Sequence, residues 1–262
     1  MDLSLINKYA VVCGSTQGLG FASAVELALM GATVTLMARN QEKLINAVEK
    51  LDTSRQQKHN YLVADFQYPE QVKKAIDAHL EKNNIVNILV NNSGGPKGGT
   101  AIDANTNEFL LAFNNHLISN QVLVQATVPS MKKSGYGRIV NIISTSVKQP
   151  IPGLGVSNTI RGAVASWGKT LANELGQYGI TVNNVLPGYT KTSRYDYVVK
   201  SKMDATGKSA DEIEDNLVSD IPLKRIGKPE EFGAAVAFLC SPAAAYINGI
   251  NLPVDGGRLS TL

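Results

Sequence analysis

The run Gly14-Ser15-Thr16-Gln17-Gly18-Leu19-Gly20 follows a short apolar stretch at 10–13 and leads into an amphipathic one. Glycines at that spacing let the backbone turn tightly and come close to a pyrophosphate, whose charge then rests on the N-terminus of the following helix. Gly14, Ser15, Gln17, Gly18, Leu19 and Gly20 are therefore candidate dinucleotide contacts. A plain tight turn is the competing reading, and the setting between a strand and a helix argues against it. A second group stands at the end of the next apolar run, Met37-Ala38-Arg39-Asn40. An acidic side chain there would bind the ribose 2′-hydroxyl of NAD and repel a 2′-phosphate. Arg39 offers instead a planar cationic fork suited to phosphate, which points to NADP(H); the alternative is a solvated surface charge. No spacing of His, Cys or carboxylate residues suggests a metal site.

These groups must be positioned by an alternation of short apolar runs with longer amphipathic ones. Strand-like runs lie at 10–13, 33–37, 60–63, 85–90, 138–143, 181–186 and 250–254. They are short and continuously apolar, as expected of strands buried on both faces of a parallel sheet. Helix candidates fall near 19–30, 41–51, 69–82, 104–131, 158–178 and 229–240, with Gly31 and Gly179 where helices commonly stop. The alternation predicts an α/β fold: a single doubly wound Rossmann-type domain over 1–262, with about seven parallel strands and helices on both faces. The polar stretch 188–228 interrupts the rhythm and reads as a substrate lid. Hydrophobic residues at 44% and charged ones at 18% exclude disorder. A net charge of +3 gives no reason to expect nucleic acid or a membrane surface. Cys13 and Cys240 read as buried thiols rather than a disulfide, and with no leader or long apolar run the expected location is cytoplasmic.

Six segments in order resemble the short-chain dehydrogenase/reductase family, and 3-oxoacyl-acyl carrier protein reductases within it. They are the glycine loop, Asp65, Asn91-Asn92-Ser93-Gly94, Pro187-Gly188 with Thr192, Arg225-x-Gly227-x-Pro229-Glu230-Glu231, and Val254-Asp255-Gly256-Gly257. The resemblance implies that Asp65 lies near the adenine, that Asn91, Ser93 and Gly94 form the turn after the fourth strand, and that Pro187, Gly188 and Thr192 cover the nicotinamide. It also implies an NADP(H)-dependent oxidoreductase acting on a carbonyl or alcohol, a small molecule or a thioester, in a homo-tetramer or homo-dimer. Where the family has Thr, this chain has Cys13.

The same alignment places the family's catalytic serine on Ser144, which would hydrogen-bond the substrate carbonyl. It puts Ser157 in place of the family's tyrosine, Arg161 in place of its lysine and His116 in place of its helical asparagine. Carbonyl reduction needs a hydride and a proton for the nascent alkoxide. A serine hydroxyl is far too weak an acid for that task, and a guanidinium stays charged. Arg161 can still hold ribose hydroxyls and stabilise an oxyanion. His116, with an ordinary pKa of about 6.5, is the new group suited to exchange protons, against the alternative that it only packs. His59 and His79 are expected on polar surface segments and receive no role. Tyr189, Tyr195 and Tyr197 in the lid are further candidate acids, and 94–99 is a loose glycine-rich turn. A chain that binds the dinucleotide without turnover, as sensor or partner subunit, is the alternative reading.

Overall fold

The computed structural model describes residues 1–83 and 85–261. Seven strands form one parallel sheet: β1 (Tyr9–Cys13), β2 (Thr33–Ala38), β3 (Asn60–Val63), β4 (Ile88–Asn91), β5 (Gly137–Ile142), β6 (Ile180–Pro187) and β7 (Asn251–Val254). Their order is β3-β2-β1-β4-β5-β6-β7, with every neighbouring pair parallel. The order reverses between β1 and β4, so the chain leaves these two strands in opposite directions and opens a crevice at their carboxyl ends.

The helices are α1 (Gly18–Leu29), α2 (Gln41–Val48), α3 (Pro69–Asn83), α4 (Thr106–Phe113), α5 (Ser119–Ser134), α6 (Gly155–Leu175), α7 (Ser193–Thr206), α8 (Ala210–Ser219) and α9 (Pro229–Cys240). One face of the sheet packs through Leu36, Ile88 and Val140 against Leu27 of α1 and Phe232 and Val236 of α9. The other packs through Leu89, Ile139 and Val182 against Ile76 of α3, Leu123 of α5 and Leu171 of α6. Each fully buried Leu, Ile or Phe contributes about 1.5–3 kcal/mol, which is why continuous apolar runs specify strands covered on both sides. Cys13 and Cys240 are both free and buried.

Three expectations need correction. The fourth strand begins at Ile88 rather than 85, because the Asn87 side chain accepts from the Tyr9 backbone N–H at 3.1 Å and Ile85 is exposed. The segment 104–131 is not one regular helix: a π-helical turn over Asn114–Ile118 separates α4 from α5. His79 does not lie on the surface: the side chain is buried, at 7% exposure. The stretch 188–228 carries α7 and α8 around a small core of Tyr195, Ile213 and Leu217. No helix among the described residues is long and apolar enough to cross a membrane.

Candidate cofactor and substrate cleft

A cleft of about 1100 Å³ opens at the carboxyl ends of the central strands. Its first wall is the turn between β1 and α1. Gly14 and Gly18 hold φ of +55° and +61°, which L side chains rarely adopt. A Cβ on Gly14 would lie 2.8 Å from the Asn92 carbonyl oxygen. The bare backbone can therefore face a ligand closely. Asn92 pins this turn, its Nδ2 donating to the carbonyls of Cys13 at 3.3 Å and Gly14 at 3.1 Å.

Arg39 closes the far end of the cleft, with Lys43 of α2 beside the same wall. Arg39 directly precedes Asn40, which caps α2 by accepting from the Lys43 N–H at 2.8 Å. Two cations at a helix start suit a phosphate. Asp65 also borders the cleft, its carboxylate held by the Gln67 N–H at 3.0 Å.

At the other end the walls are Ser93, Gly94, Ser144, Ser157, Arg161, Pro187 and Gly188. The Ser144 Oγ accepts from the Ser146 N–H at 3.0 Å, which leaves its own proton to donate into the cleft. Ser157 borders the cleft half-buried. Arg161 is 8% exposed, and its Nη1 donates to the Ile142 carbonyl at 2.9 Å. Burial lowers its pKa to about 10, so the guanidinium remains charged at neutral pH. Across the cleft the start of α7 meets the glycine turn. Gln17 Nε2 donates to the Ser193 Oγ at 3.0 Å, and Thr192 caps α7 and packs beside Gly18.

Four expected site residues stand behind this surface. The Ser15 hydroxyl donates to the Val12 carbonyl at 2.7 Å and accepts from the Met37 N–H at 3.1 Å, tying the turn to β1 and β2. Gly20 lets α1 pack on the Gly14 carbonyl, where a Cβ would collide. Asn91 is 1% exposed and starts an amide ladder across the sheet: Asn91 to Asn141 at 2.9 Å, Asn141 to Asn184 at 2.9 Å, Asn184 to Asn251 at 2.8 Å. Their register on adjacent strands puts all four on one row.

His116 is the fourth. It lies in the π-helical turn, 2% exposed, and Ser93 stands between it and the cleft. Its Nδ1 is 2.6 Å from the Ser93 Oγ, which also donates to the Asn115 carbonyl at 3.1 Å. Its Nε2 is buried without a partner among the described residues. Burial, with a smaller effect from the Arg161 charge, holds the imidazole well below its ordinary pKa of 6.5. It is neutral at working pH and does not border the cleft. Among the lid tyrosines, Tyr195 is also tied up: its hydroxyl donates to Glu214 at 2.9 Å, and burial followed by that bond pushes its pKa up. Lys43 and Asn92 were missed from sequence. The spacing of Lys43 from Arg39 was the available signal; which of two adjacent asparagines turns inward was not readable.

Comparison with known proteins agrees with this geometry. Residues 14–258 match the family described as enoyl-(acyl carrier protein) reductase. The NADPH-dependent reductase BacG of Bacillus subtilis is 27% identical over 97% of this chain and 99% of its own. Dehydrogenase/reductase SDR family member 4 of Oryctolagus cuniculus is 32% identical over 98% of this chain and 96% of its own. L-sorbose reductase of Gluconobacter frateurii, solved with NADPH and L-sorbose, superposes with a TM-score of 0.94 at 29% identity, covering all of both chains.

Proposed function

The chain belongs to the short-chain dehydrogenase/reductase family, and from that premise we propose an NADPH-dependent reductase of a carbonyl-bearing small molecule or thioester whose proton route differs from the family's Tyr–Lys pair. The observation that carries this reading is one continuous cleft bordered by Gly14, Gly18, Arg39, Asp65, Ser144, Arg161 and Thr192. The dinucleotide fits the residues present. The glycine turn leaves room for a pyrophosphate, no atom lies within 4 Å of a Cβ built on Gly94, and the cations Arg39 and Lys43 border the end where a 2′-phosphate would rest. NADPH dependence of BacG and the NADPH complex of L-sorbose reductase support the choice of cofactor.

When bound, the nicotinamide supplies a hydride; the remaining work belongs to the chain. Arg39 and Lys43 would hold the 2′-phosphate, with Asp65 beside the adenine. The backbone from Gly14 to Leu19 would face the pyrophosphate. Residues of the 188–228 lid close over it, with Gln17 and Ser193 as the latch. Ser144 donates its free proton to the carbonyl oxygen, fixing the substrate's orientation. Arg161 holds ribose hydroxyls and supplies positive charge where negative charge develops, an arrangement that stabilises the transition state without reorganising. Ser157 leaves open the space that a phenol ring would fill. His116 is a positioning residue that acts through the Ser93 hydroxyl.

The test is NADPH oxidation against a panel of saturated and α,β-unsaturated ketones and thioesters. Turnover of any member supports the reading. Calorimetric NADPH binding with no oxidation across the panel would leave a binding protein without turnover.

A further inference from the structure

Three charged side chains border the cleft that neither the dinucleotide nor the reacting carbonyl has used: Lys97, Glu108 and Arg194. Glu108 is engaged elsewhere, its Oε2 accepting from the Asn105 N–H at 2.9 Å in the capping box of α4. Lys97 and Arg194 are both exposed, and among the described residues neither pairs with a carboxylate. A solvated surface charge is the competing reading for each. Their anchoring argues against it.

Lys97 stands on a turn that is fastened rather than loose. The Gly99 N–H donates to the Gly153 carbonyl at 2.7 Å, and the Gly155 N–H donates to the Gly99 carbonyl at 2.9 Å. Packing there is close, since a Cβ on Gly155 would run into the Ala101 backbone. Lys97 lies two residues before this clamp and Ser157 two residues after it, and both border the cleft. At its other end the same turn approaches Arg161, whose Nη2 is 3.9 Å from where a Gly95 Cβ would stand. The turn therefore carries Lys97 a short step from the reacting end.

Arg194 is held from the α7 side. It follows Ser193, which bonds to Gln17 of the glycine turn, and its guanidinium lies 5.2 Å from the centroid of the Tyr197 ring. Stacking on an aromatic face leaves the N–H groups at the guanidinium edge free to donate. Tyr197 borders the cleft as well, and the wall is apolar at Leu111, Leu154 and Val156. Cations beside an apolar wall suit a carbon chain that ends in an anion.

Resting on the reductase reading above, we propose that the substrate carries, besides its carbonyl, an anionic group held by Lys97 and Arg194. A carboxylate or a phosphate meets that description, with the intervening carbon chain against Leu111 and Leu154. Ser144 and Arg161 then take the carbonyl end, so the two charged ends of the site fix which carbon receives the hydride.

Keto acids and their methyl esters test this, because they share a carbonyl and differ in charge. Levulinate and 5-oxohexanoate are compared with their methyl esters, and dihydroxyacetone phosphate with dihydroxyacetone, at saturating NADPH. The anionic member of a pair should have the higher kcat/KM by about tenfold or more; the carboxylate and phosphate arms tell which anion fits. Lys97→Gln and Arg194→Gln should each cut that preference by about two- to tenfold, and Lys97→Arg should keep most of it. Raising sodium chloride from about 0.02 to 0.3 M should raise KM for the acid more than for the ester. NADPH affinity by calorimetry should be the same in Lys97→Gln as in the wild type. Equal turnover of acid and ester, or a preference untouched by both substitutions, overturns the proposal and leaves the reductase reading intact. Weaker NADPH binding in Arg194→Gln, with the preference kept, gives that cation to the cofactor and overturns its part. If no pair is turned over, calorimetry of levulinate against methyl levulinate on the NADP+ complex decides. Binding of the acid alone, lost in Lys97→Gln, upholds the anion site without the reductase reading; no preference for the acid overturns it.

Discussion

Arg39 and Lys43 border the cleft end together, so their charges should act on the same phosphate. A charge-assisted hydrogen bond is worth about 1.5–3 kcal/mol. Arg39→Asp should therefore weaken NADPH binding by roughly tenfold or more and reverse the preference over NADH, read by calorimetry; unchanged and equal affinities would remove Arg39 from the site. His116 gives a pH prediction. Its folded pKa lies below its unfolded value of 6.5, so between the two the unfolded chain binds the extra proton. Stability is thus intact above about pH 6.5 and lost as pH falls, at up to about 1.4 kcal/mol per pH unit. Denaturant unfolding at pH 7 and pH 5 should show a smaller loss in His116→Asn than in the wild type. His79, also lowered by burial, is present in both proteins and cancels. At this scale the sequence was partly legible. Arg39 was readable because the absence of an acidic neighbour is a statement about charge. The inward turn of Ser15 and Asn91, and the burial of His116, depend on side-chain direction and packing that no local pattern encodes.

The turn between β1 and α1 is the element under most constraint. Since a Cβ on Gly20 would run into the Gly14 carbonyl, Gly20→Ala should cost about 1–3 kcal/mol and displace the glycine loop. A lowered melting temperature and weakened NADPH binding should appear together; a variant with wild-type stability would show that the contact yields. The start of α7 is joined to the glycine turn by the Gln17–Ser193 hydrogen bond. Ser193→Ala should raise KM for NADPH a few-fold without altering its advantage over NADH, since the latch touches no 2′-phosphate. The five inner strands were legible because apolar runs buried on two faces have few alternatives, and the partly buried edge strands β3 and β7 followed from the alternation. The π-helical turn at Asn114–Ile118 was not, because a single five-residue turn is too short to stand out against the helical periodicity on either side. Nor were α7 and α8, whose small apolar face is outweighed by charge in the sequence.

The whole molecule places its glycine turn, the cations Arg39 and Lys43, and Ser144, Ser157 and Arg161 around one crevice at the point where strand order reverses. Architecture was therefore readable from the strand–helix alternation alone, whereas the chemistry depended on what fills the reacting end. Exposed Ile102 and Leu110 lie on the surface around α4, and light scattering should give two or four times the 28.0 kDa chain mass; a stable monomer would contradict the expected assembly. The central claim is a cofactor cleft of the reductase type with no titrating Tyr–Lys acid at its reacting end. The direct measurement is kcat/KM for the best carbonyl substrate against pH, with deuterated NADPH to keep hydride transfer visible. A level profile is expected between about pH 6 and 9, because His116 titrates below that span and Arg161 above it. A bell or a single step with an apparent pKa inside it would mean that another acid donates the proton, and would contradict the account.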